Sequence, residues 1–281
     1  MRAICTSPSG PRLCERPAPA APEGWARLAV QLAGVCRTDV QAARGELVVA
    51  EGRVLGHELV GELSDPGLIR ALGARRCAVR PRLSDGRFLG LDVDGAFAEE
   101  LVVPTAALVP VPDDMSLQRA AFVEPMAAAL AILAAPWPAD GRAALRGVGR
   151  IAELCRRVLA WAGRPLLSAE AAAEAAADGS LSLLVITDAD AIVGLDGLVV
   201  GGRVVVKGRP ARPVPLQLRA VVEREITVQG VNYGDFDLAV RLLHSGAVPV
   251  DDLFAPPRPL GEFAAAFRGD EDRKTFLALE G

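Results

Sequence analysis

The secondary-structure pattern of the chain changes once, near Met115. Before it, short apolar and β-branched segments such as 25–34 and 54–63 are separated by Gly and Pro. This predicts a compact, barrel-like β domain. After it, helical spacing alternates with near-continuous apolar runs, which is typical of a parallel sheet covered by helices. The segment from about residue 254 again has a strand-like pattern and is expected to complete the first domain.

The expected fold class is therefore α/β, with two domains. The first spans residues 1–115 and is completed by 254–281, and the second spans 116–253. The predicted elements are strands at 25–34, 54–63, 75–81 and 96–104, a helix at 116–135, a short strand at 143–146, a helix at 151–163, a strand at 164–169, an Ala-rich helix at 170–179, strands at 181–188 and 202–208, and a final strand at 274–280.

Charge and composition exclude several classes of protein. The net charge is −4 and the arginines are scattered, so neither nucleic acid nor an anionic membrane surface is an expected partner. No long apolar run is free of Gly, Pro and charged residues, and the first residues lack the apolar core of a signal peptide. The five cysteines are odd in number and irregularly spaced, which predicts no disulfide framework. A soluble protein of the reducing cytoplasm is expected.

Four short segments carry residues that suggest chemistry. GVCRTD places Cys36 and Thr38 after a strand, GHE places His57 beside Glu58, and FVEP places Glu124 in an apolar helix. The fourth, GVGRIA at 147–152, is a Gly-x-Gly-x-x-Ala turn before a helix. Each alone has an ordinary explanation: a small core cysteine, a hydrogen-bonded His–Glu pair, a solvent-facing helix residue, a common glycine turn. Together the thiol, imidazole and carboxylates are the ligand types that bind zinc.

In order and spacing these segments resemble the zinc-dependent medium-chain dehydrogenase/reductase family, especially its polyol, glucose and threonine dehydrogenases. The likeness runs nearly end to end, through GVCRTDVQAARGE, VLGHELVGEL, AAFVEPMAAAL and GGRVVVKG. It implies a GroES-like catalytic domain, closed by the C-terminal segment, around a Rossmann domain, and one catalytic zinc ion. The implied metal ligands are Cys36, His57, Glu58 and Glu124, with Glu58 and Glu124 exchanging at the metal.

The resemblance also implies catalytic roles and a cofactor site. Thr38 would begin the proton relay, with Glu58 and the relay position Gln41 as the other catalytic candidates. Gly147 and Gly149 would allow the backbone to approach a dinucleotide pyrophosphate, and Ala152 would allow close helix–strand packing. The predicted cofactor-binding residues are Gly147, Gly149, Ala152, Glu170 and Thr187. Glu170 lies 23 residues after Gly147, where an acid should bind the ribose hydroxyls, and no Arg follows it, so NAD is favoured over NADP.

Three departures from the family pattern matter. Residues 80–95 contain no Cys, so the structural-zinc lobe of many relatives is missing and one zinc is expected. Gln41 stands at a relay position that is often His, and an amide cannot take up a proton near neutral pH. Between Glu170 and the strand at 181–188 there is room for a short helix but not for the usual extra strand.

The expected function is a zinc-dependent enzyme that transfers a hydride between a secondary alcohol or polyol, or its carbonyl form, and NAD(P). A biosynthetic carbonyl or enoyl reductase on the same fold is an alternative. So is a non-catalytic zinc-bearing relative with weakened cofactor binding. A small-molecule alcohol or carbonyl substrate is the expected partner. The family also implies a homodimer or homotetramer, with the edge-strand region at 226–233 involved.

Overall fold

The computed structural model describes residues 1–188, 192–268 and 273–279. The chain divides into two compact units, one formed by Met1–Met126 with Phe236–Gly281 and one by Ala127–Asp235. The boundaries expected at 115/116 and 253/254 therefore lie elsewhere. The physical reason is that two helices assigned by prediction to the second domain, one at Leu117–Ala121 and one at Phe236–Ser245, pack on strands of the first unit.

The first unit is built on a seven-stranded sheet. Its order is β12-β13-β3-β4-β5-β7, with β6 paired to β3, and a separate hairpin joins β1 and β2. The strands are β1 (Arg2–Cys5), β2 (Arg12–Glu15), β3 (Trp25–Gly34), β4 (Glu58–Leu63), β5 (Arg76–Val79), β6 (Glu100–Pro104), β7 (Leu108–Val111), β12 (Arg258–Pro259) and β13 (Phe276–Ala278).

β3 is the central strand of this unit and spans the predicted range. Apolar residues alternate along it, so that Leu28, Val30 and Leu32 are buried while the residues between them are more exposed. It pairs antiparallel with β4, and the register places Gly34 opposite Glu58. Because of this register, the segment after β3 and the segment before β4 meet at one end of the sheet.

The helices of the first unit are short, and two of them set its boundaries. The helix α3 packs against β3, β4 and β5, and α8 packs against α3 and β7, so both belong with the sheet. No helix in the described part of the chain is long and apolar enough to cross a membrane. The helices are α1 (Arg37–Ala43), α2 (Pro66–Leu72), α3 (Leu117–Ala121), α4 (Val123–Leu130, which runs across the boundary), α8 (Phe236–Ser245) and α9 (Phe263–Ala266).

The single helix predicted at 116–135 is wrong, because the chain breaks at Phe122. Ser116 caps α3 by accepting a hydrogen bond from the Arg119 amide, and α4 then starts at Val123. Pro125 lacks an N–H and its ring crowds the preceding turn, so it is tolerated in the first turn of a new helix and not within a continuous one. The break places Glu124 in the first turn of α4.

The second unit is a small parallel α/β layer. Its sheet has the order β11-β10-β9-β8, and all its strand pairs are parallel. The strands are β8 (Ala143–Arg146), β9 (Leu181–Ile186), β10 (Leu198–Val206) and β11 (Thr227–Gly230), and the helices are α5 (Gly149–Trp161), α6 (Ala169–Asp178) and α7 (Leu218–Glu223).

The strand predicted at 164–169 is wrong. Residues 164–168 form no regular element, although the Leu167 amide donates a hydrogen bond to the Ala143 carbonyl at 2.9 Å. Pro165 has no N–H to donate, so a regular ladder beside β8 cannot form there. Apolar composition alone suggested a strand, whereas the proline decided the structure.

The cysteines form no disulfide framework, but one pair that was expected to be free is bonded in the structure. Cys5 and Cys14 are bonded across the β1–β2 hairpin, with their Cα atoms 6.2 Å apart. The other three cysteines are free, and Cys77 and Cys155 are buried. Burial raises the pKa of each of these two thiols to about 12, so both are protonated at neutral pH.

Candidate metal centre and nucleotide turn

The meeting of β3 and β4 brings three potential metal ligands together. Cys36 is the N-cap of α1, His57 directly precedes β4, and Glu58 is the first residue of β4. One ligand atom from each lies within 4.8 Å of the other two. His57 is fully buried and Glu58 nearly so. Within the residues that the structure describes, this is the one group of three or more such side chains gathered closely enough to hold a metal ion.

Asp39 fixes the position of both ligand segments. Its carboxylate accepts hydrogen bonds from the Cys36 amide at 2.8 Å and from the Gly56 amide at 3.1 Å. One of its oxygens also lies 3.4 Å from Nδ1 of His57. A carboxylate beside one imidazole nitrogen orients the ring and leaves the other nitrogen to a metal. The sequence analysis gave Asp39 no role, although an acidic residue three positions after the candidate ligand Cys36 was a usable signal.

The charge state of His57 is set by its neighbours. Burial lowers the pKa of His57, but the neighbouring Asp39 carboxylate and Cys36 outweigh it and hold that pKa well above its ordinary value. Neither ring nitrogen has a hydrogen-bond partner of good geometry among the described residues. Phe88 closes one side of the ring, with centroids 5.2 Å apart. A buried imidazole with anionic neighbours is well suited to a cation, so the donor set fits zinc.

A second residue absent from the sequence prediction, Lys274, reaches this centre. Its ammonium group pairs with Oε2 of Glu58 and donates a hydrogen bond to the Val35 carbonyl at 2.8 Å. The side chains of Lys274 and Glu58 are 2% and 3% exposed, so the ion pair is inside the protein. In the sequence Lys274 looks like the start of an ordinary strand, and no local pattern connects it to residue 58.

Two glycines make room for the centre. A Cβ atom on Gly34 would lie 2.5 Å from Oε2 of Glu58 and 2.6 Å from Cε of Lys274. Gly56 has a φ of 96°, and a Cβ there would lie 2.8 Å from the ring of Phe97. Larger residues at these positions would displace the Glu58–Lys274 pair or the segment that carries His57.

The other predicted residues of this site lie in the same unit but differ in their contacts. Thr38 is half-buried, and its Oγ1 lies 3.8 Å from the Cys36 sulfur, which donates to it. Gln41 is half-buried on α1. Glu124 is 4% exposed and is not part of the group formed by Cys36, His57 and Glu58. The structure thus brings three of the four predicted metal ligands together.

The predicted nucleotide turn joins β8 to α5 in the second unit. Gly147 and Gly149 both have positive φ, at 141° and 74°. A Cβ on Gly147 would collide with Oγ1 of Thr187, which is buried after the end of β9. Ala152 is fully buried on the inner face of α5. A tight glycine turn leading into the N-terminus of a 13-residue helix is compatible with a dinucleotide pyrophosphate.

Glu170 is placed differently from the expectation. It lies in the first turn of α6 and is exposed, and residues 164–168 before it are not a strand. Hydrogen bonds to its own backbone amide and to Ser168 lower the pKa of Glu170. Ser168 is the N-cap of α6, and the strand end that would present Glu170 to a ribose is missing.

The chain is similar in sequence to known alcohol and polyol dehydrogenases. The family described as Alcohol dehydrogenase GroES-like domain matches residues 22–113. The protein named "Putative D-xylulose reductase" from Rhizobium meliloti is 29% identical, over 90% of this chain and 90% of its own length. L-galactonate-5-dehydrogenase from Escherichia coli is also 29% identical, over 44% of this chain and 42% of its own length.

Solved structures share the fold. That of 2R,3R-butanediol dehydrogenase from Bacillus subtilis superimposes with a TM-score of 0.80 at 20% identity and covers 99% of each chain. An alcohol dehydrogenase, RspB, from Escherichia coli, in complex with NADH, has the same TM-score and coverage at 21% identity. At these identities the likeness shows the fold alone. Residues 22–113 thus match the GroES-like domain of alcohol dehydrogenases, and over nearly its whole length the chain is similar to a protein named as a polyol-type reductase and shares the fold of solved alcohol dehydrogenases.

Proposed function

We propose that this protein is a zinc-dependent oxidoreductase that transfers a hydride between a secondary alcohol or polyol, or the matching carbonyl compound, and NAD(P). The observation that carries the proposal is the group formed by half-buried Cys36 and buried His57 and Glu58, with Asp39 beside the imidazole. The names of the relatives, which include reductases and dehydrogenases of sugars and sugar acids, support a polyhydroxylated substrate.

Cys36, His57 and Glu58 would hold one zinc ion, and we propose that Glu124 exchanges with Glu58. When bound, zinc supplies a Lewis acid that stabilises an alkoxide oxygen. Asp39 would keep His57 in the tautomer that leaves Nε2 to the metal. Lys274 neutralises Glu58 in the structure, so Glu58 has a second partner whenever it leaves the metal.

The proposed proton path starts at Thr38. Its hydroxyl lies beside the Cys36 sulfur and can both accept and donate a proton. Gln41, further along α1, has an amide side chain that cannot take up a proton, so water must carry the proton beyond Thr38.

The proposed cofactor residues are Gly147, Gly149, Ala152 and Thr187 at the turn, with Glu170 retained for the ribose. NAD is the preferred cofactor, and NADP is the alternative. The placement of Glu170 on α6 favours a second candidate function, in which the protein is a zinc-bearing relative that has weak or no use of a dinucleotide.

The assembly and location are also proposals. We propose a homodimer or homotetramer in which β11, at the edge of its sheet, contributes to the contact. A cytoplasmic location is proposed from the family. The Cys5–Cys14 bond requires that this pair resist reduction there.

The test combines metal analysis with nucleotide titration. Purified protein should contain about one zinc per chain, and NADH fluorescence should report micromolar binding. Zinc without binding of NADH or NADPH would overturn the redox function and leave the zinc-bearing relative. A His57→Ala variant should lose the zinc, with His244→Ala as the matched control outside the centre. Equal zinc content in both variants would overturn the metal site.

A further inference from the structure

An acidic side chain of the chain itself lies at the nucleotide turn. The Val148 amide, at the N-cap of α5, donates a hydrogen bond of 2.8 Å to Oδ2 of Asp188. Asp188 follows Thr187 directly after the end of β9, and it is half-buried. A carboxylate therefore sits against the backbone at the point where α5 begins.

The fold itself places this carboxylate there. The strands β8 and β9 are parallel neighbours, with Arg146 opposite Ile186, so the segments that follow them meet at one edge of the sheet. Gly147 lies so close to the next strand's end that a Cβ on it would be 3.2 Å from the Asp188 amide nitrogen. The tight glycine turn thus brings the backbone of Asp188 close to the start of α5, which places its carboxylate within reach of the Val148 amide.

The N-terminus of a helix stabilises one nearby negative charge, but two negative charges placed there repel each other. Its unpaired amides and the helix dipole stabilise an anion there, and Asp188 already supplies one. A dinucleotide brings a pyrophosphate to the same turn. Because like charges repel more strongly near a protein surface than in bulk water, the carboxylate opposes the arrival of the pyrophosphate.

We propose that Asp188 is a specificity-determining residue of the nucleotide turn, which lowers the affinity of this turn for the diphosphate of a dinucleotide. The inference rests on the proposed function in taking the ligand to be NAD(P). It concerns binding alone, so it can be tested without turnover.

The experiment compares three chains in their zinc-loaded form: the unchanged protein, Asp188→Asn, and Glu174→Gln. Asparagine keeps an oxygen that can accept from Val148 and removes the charge. Glu174 lies exposed on α6, so its substitution removes one charge from the same unit away from the turn. Calorimetric titration with inorganic pyrophosphate and fluorescence titration with NADH give the two dissociation constants.

We expect Asp188→Asn to bind pyrophosphate and NADH about tenfold more tightly, which corresponds to 1.4 kcal/mol, with Glu174→Gln unchanged. Equal affinities in all three chains, or weaker binding by Asp188→Asn, would overturn the proposal. Tighter pyrophosphate binding without any NADH binding would support the role of Asp188 and overturn the proposed redox function. If the unchanged protein binds NADH and Asp188→Asn binds it with the same affinity, the proposed redox function would be supported and the role of Asp188 would be overturned. Asp188→Ser, a smaller neutral acceptor, replaces the asparagine variant if that chain does not fold.

Discussion

The Glu58 carboxylate has two possible partners, the Lys274 ammonium group and a metal ion, and either can compensate its buried negative charge. In the structure the carboxylate pairs with Lys274 in a buried position. Removing one partner of a buried ion pair leaves an uncompensated charge, which is costly. A metal ion would compensate that charge in place of the lysine.

We therefore expect Lys274→Met to destabilise the zinc-free protein by about 3–5 kcal/mol and the zinc-loaded protein by clearly less. Urea denaturation with and without zinc measures both values. The double variant Glu58→Gln, Lys274→Met removes both charges, so it should recover most of the zinc-free loss. Equal losses in the two metal states would show that zinc does not interact with Glu58.

Asp39 tests whether the orientation of His57 matters for the metal. Asp39→Asn removes the charge beside Nδ1 of His57 while keeping a similar shape. Loss of such a supporting carboxylate typically costs about 10–100-fold in metal affinity, and competition with a chelator measures it. The control is Asp85→Asn, an exposed aspartate of the same unit. If both variants hold zinc equally, Asp39 has only a structural role.

At the residue scale, sequence reasoning predicted the ligands that sit in adjacent motifs and missed the residues that support them. Cys36, His57 and Glu58 carry side chains whose chemistry is visible without a fold. Lys274 reaches Glu58 only because β13 pairs with β3, a contact across most of the chain. Such a long-range pairing leaves no trace in local spacing.

At the scale of elements, Arg119 links α3 to the short 3-10 turn Asp251–Leu253. It makes a two-point ion pair with Asp251, with contacts of 2.7 and 2.5 Å. The guanidinium hydrogen bond lowers the pKa of Asp251. A group with a lowered folded-state pKa contributes stability above its unfolded-state pKa, near 3.9. That contribution is lost as the pH falls through the folded-state pKa.

We expect Asp251→Asn to lower the free energy of unfolding by up to about 1 kcal/mol at pH 7, the range of partly exposed pairs. The difference from the unchanged protein should shrink as the pH falls below about 4 and vanish well below it. Thermal unfolding across this pH range is the measurement. Glu46→Gln, at an exposed position, serves as control. A difference that persists in acid would mean that the ion pair is not its source.

The elements that sequence reasoning predicted well are those whose pattern is set locally. The structure confirms the predicted limits of β3 and of β8. The failures occurred at prolines: Pro125 divides the predicted helix at 116–135, and Pro165 prevents the strand predicted at 164–169. In both cases a missing backbone donor outweighed apolar composition.

At the scale of the whole molecule, the domain boundaries depended on contacts that no local pattern contains. The helix α8 follows the second unit in sequence but packs against α3 and β7 of the first. One consequence is that all four proposed metal ligands, Glu124 included, lie within the first unit, and all predicted cofactor residues lie within the second. The two kinds of ligand should therefore stabilise different parts of the chain.

Hydrogen exchange measured by mass spectrometry can separate these two effects. A ligand that binds only the folded state stabilises it by about 2.7 kcal/mol at a hundredfold excess over its dissociation constant. Zinc should therefore slow exchange in β3 and β4 more than in β9 and α5, and NADH should have the opposite preference. The His57→Ala variant should lose the zinc effect and keep the NADH effect. If zinc instead protected both units equally, the metal and nucleotide sites could not be energetically separate, and the assignment of each to its own unit would be wrong.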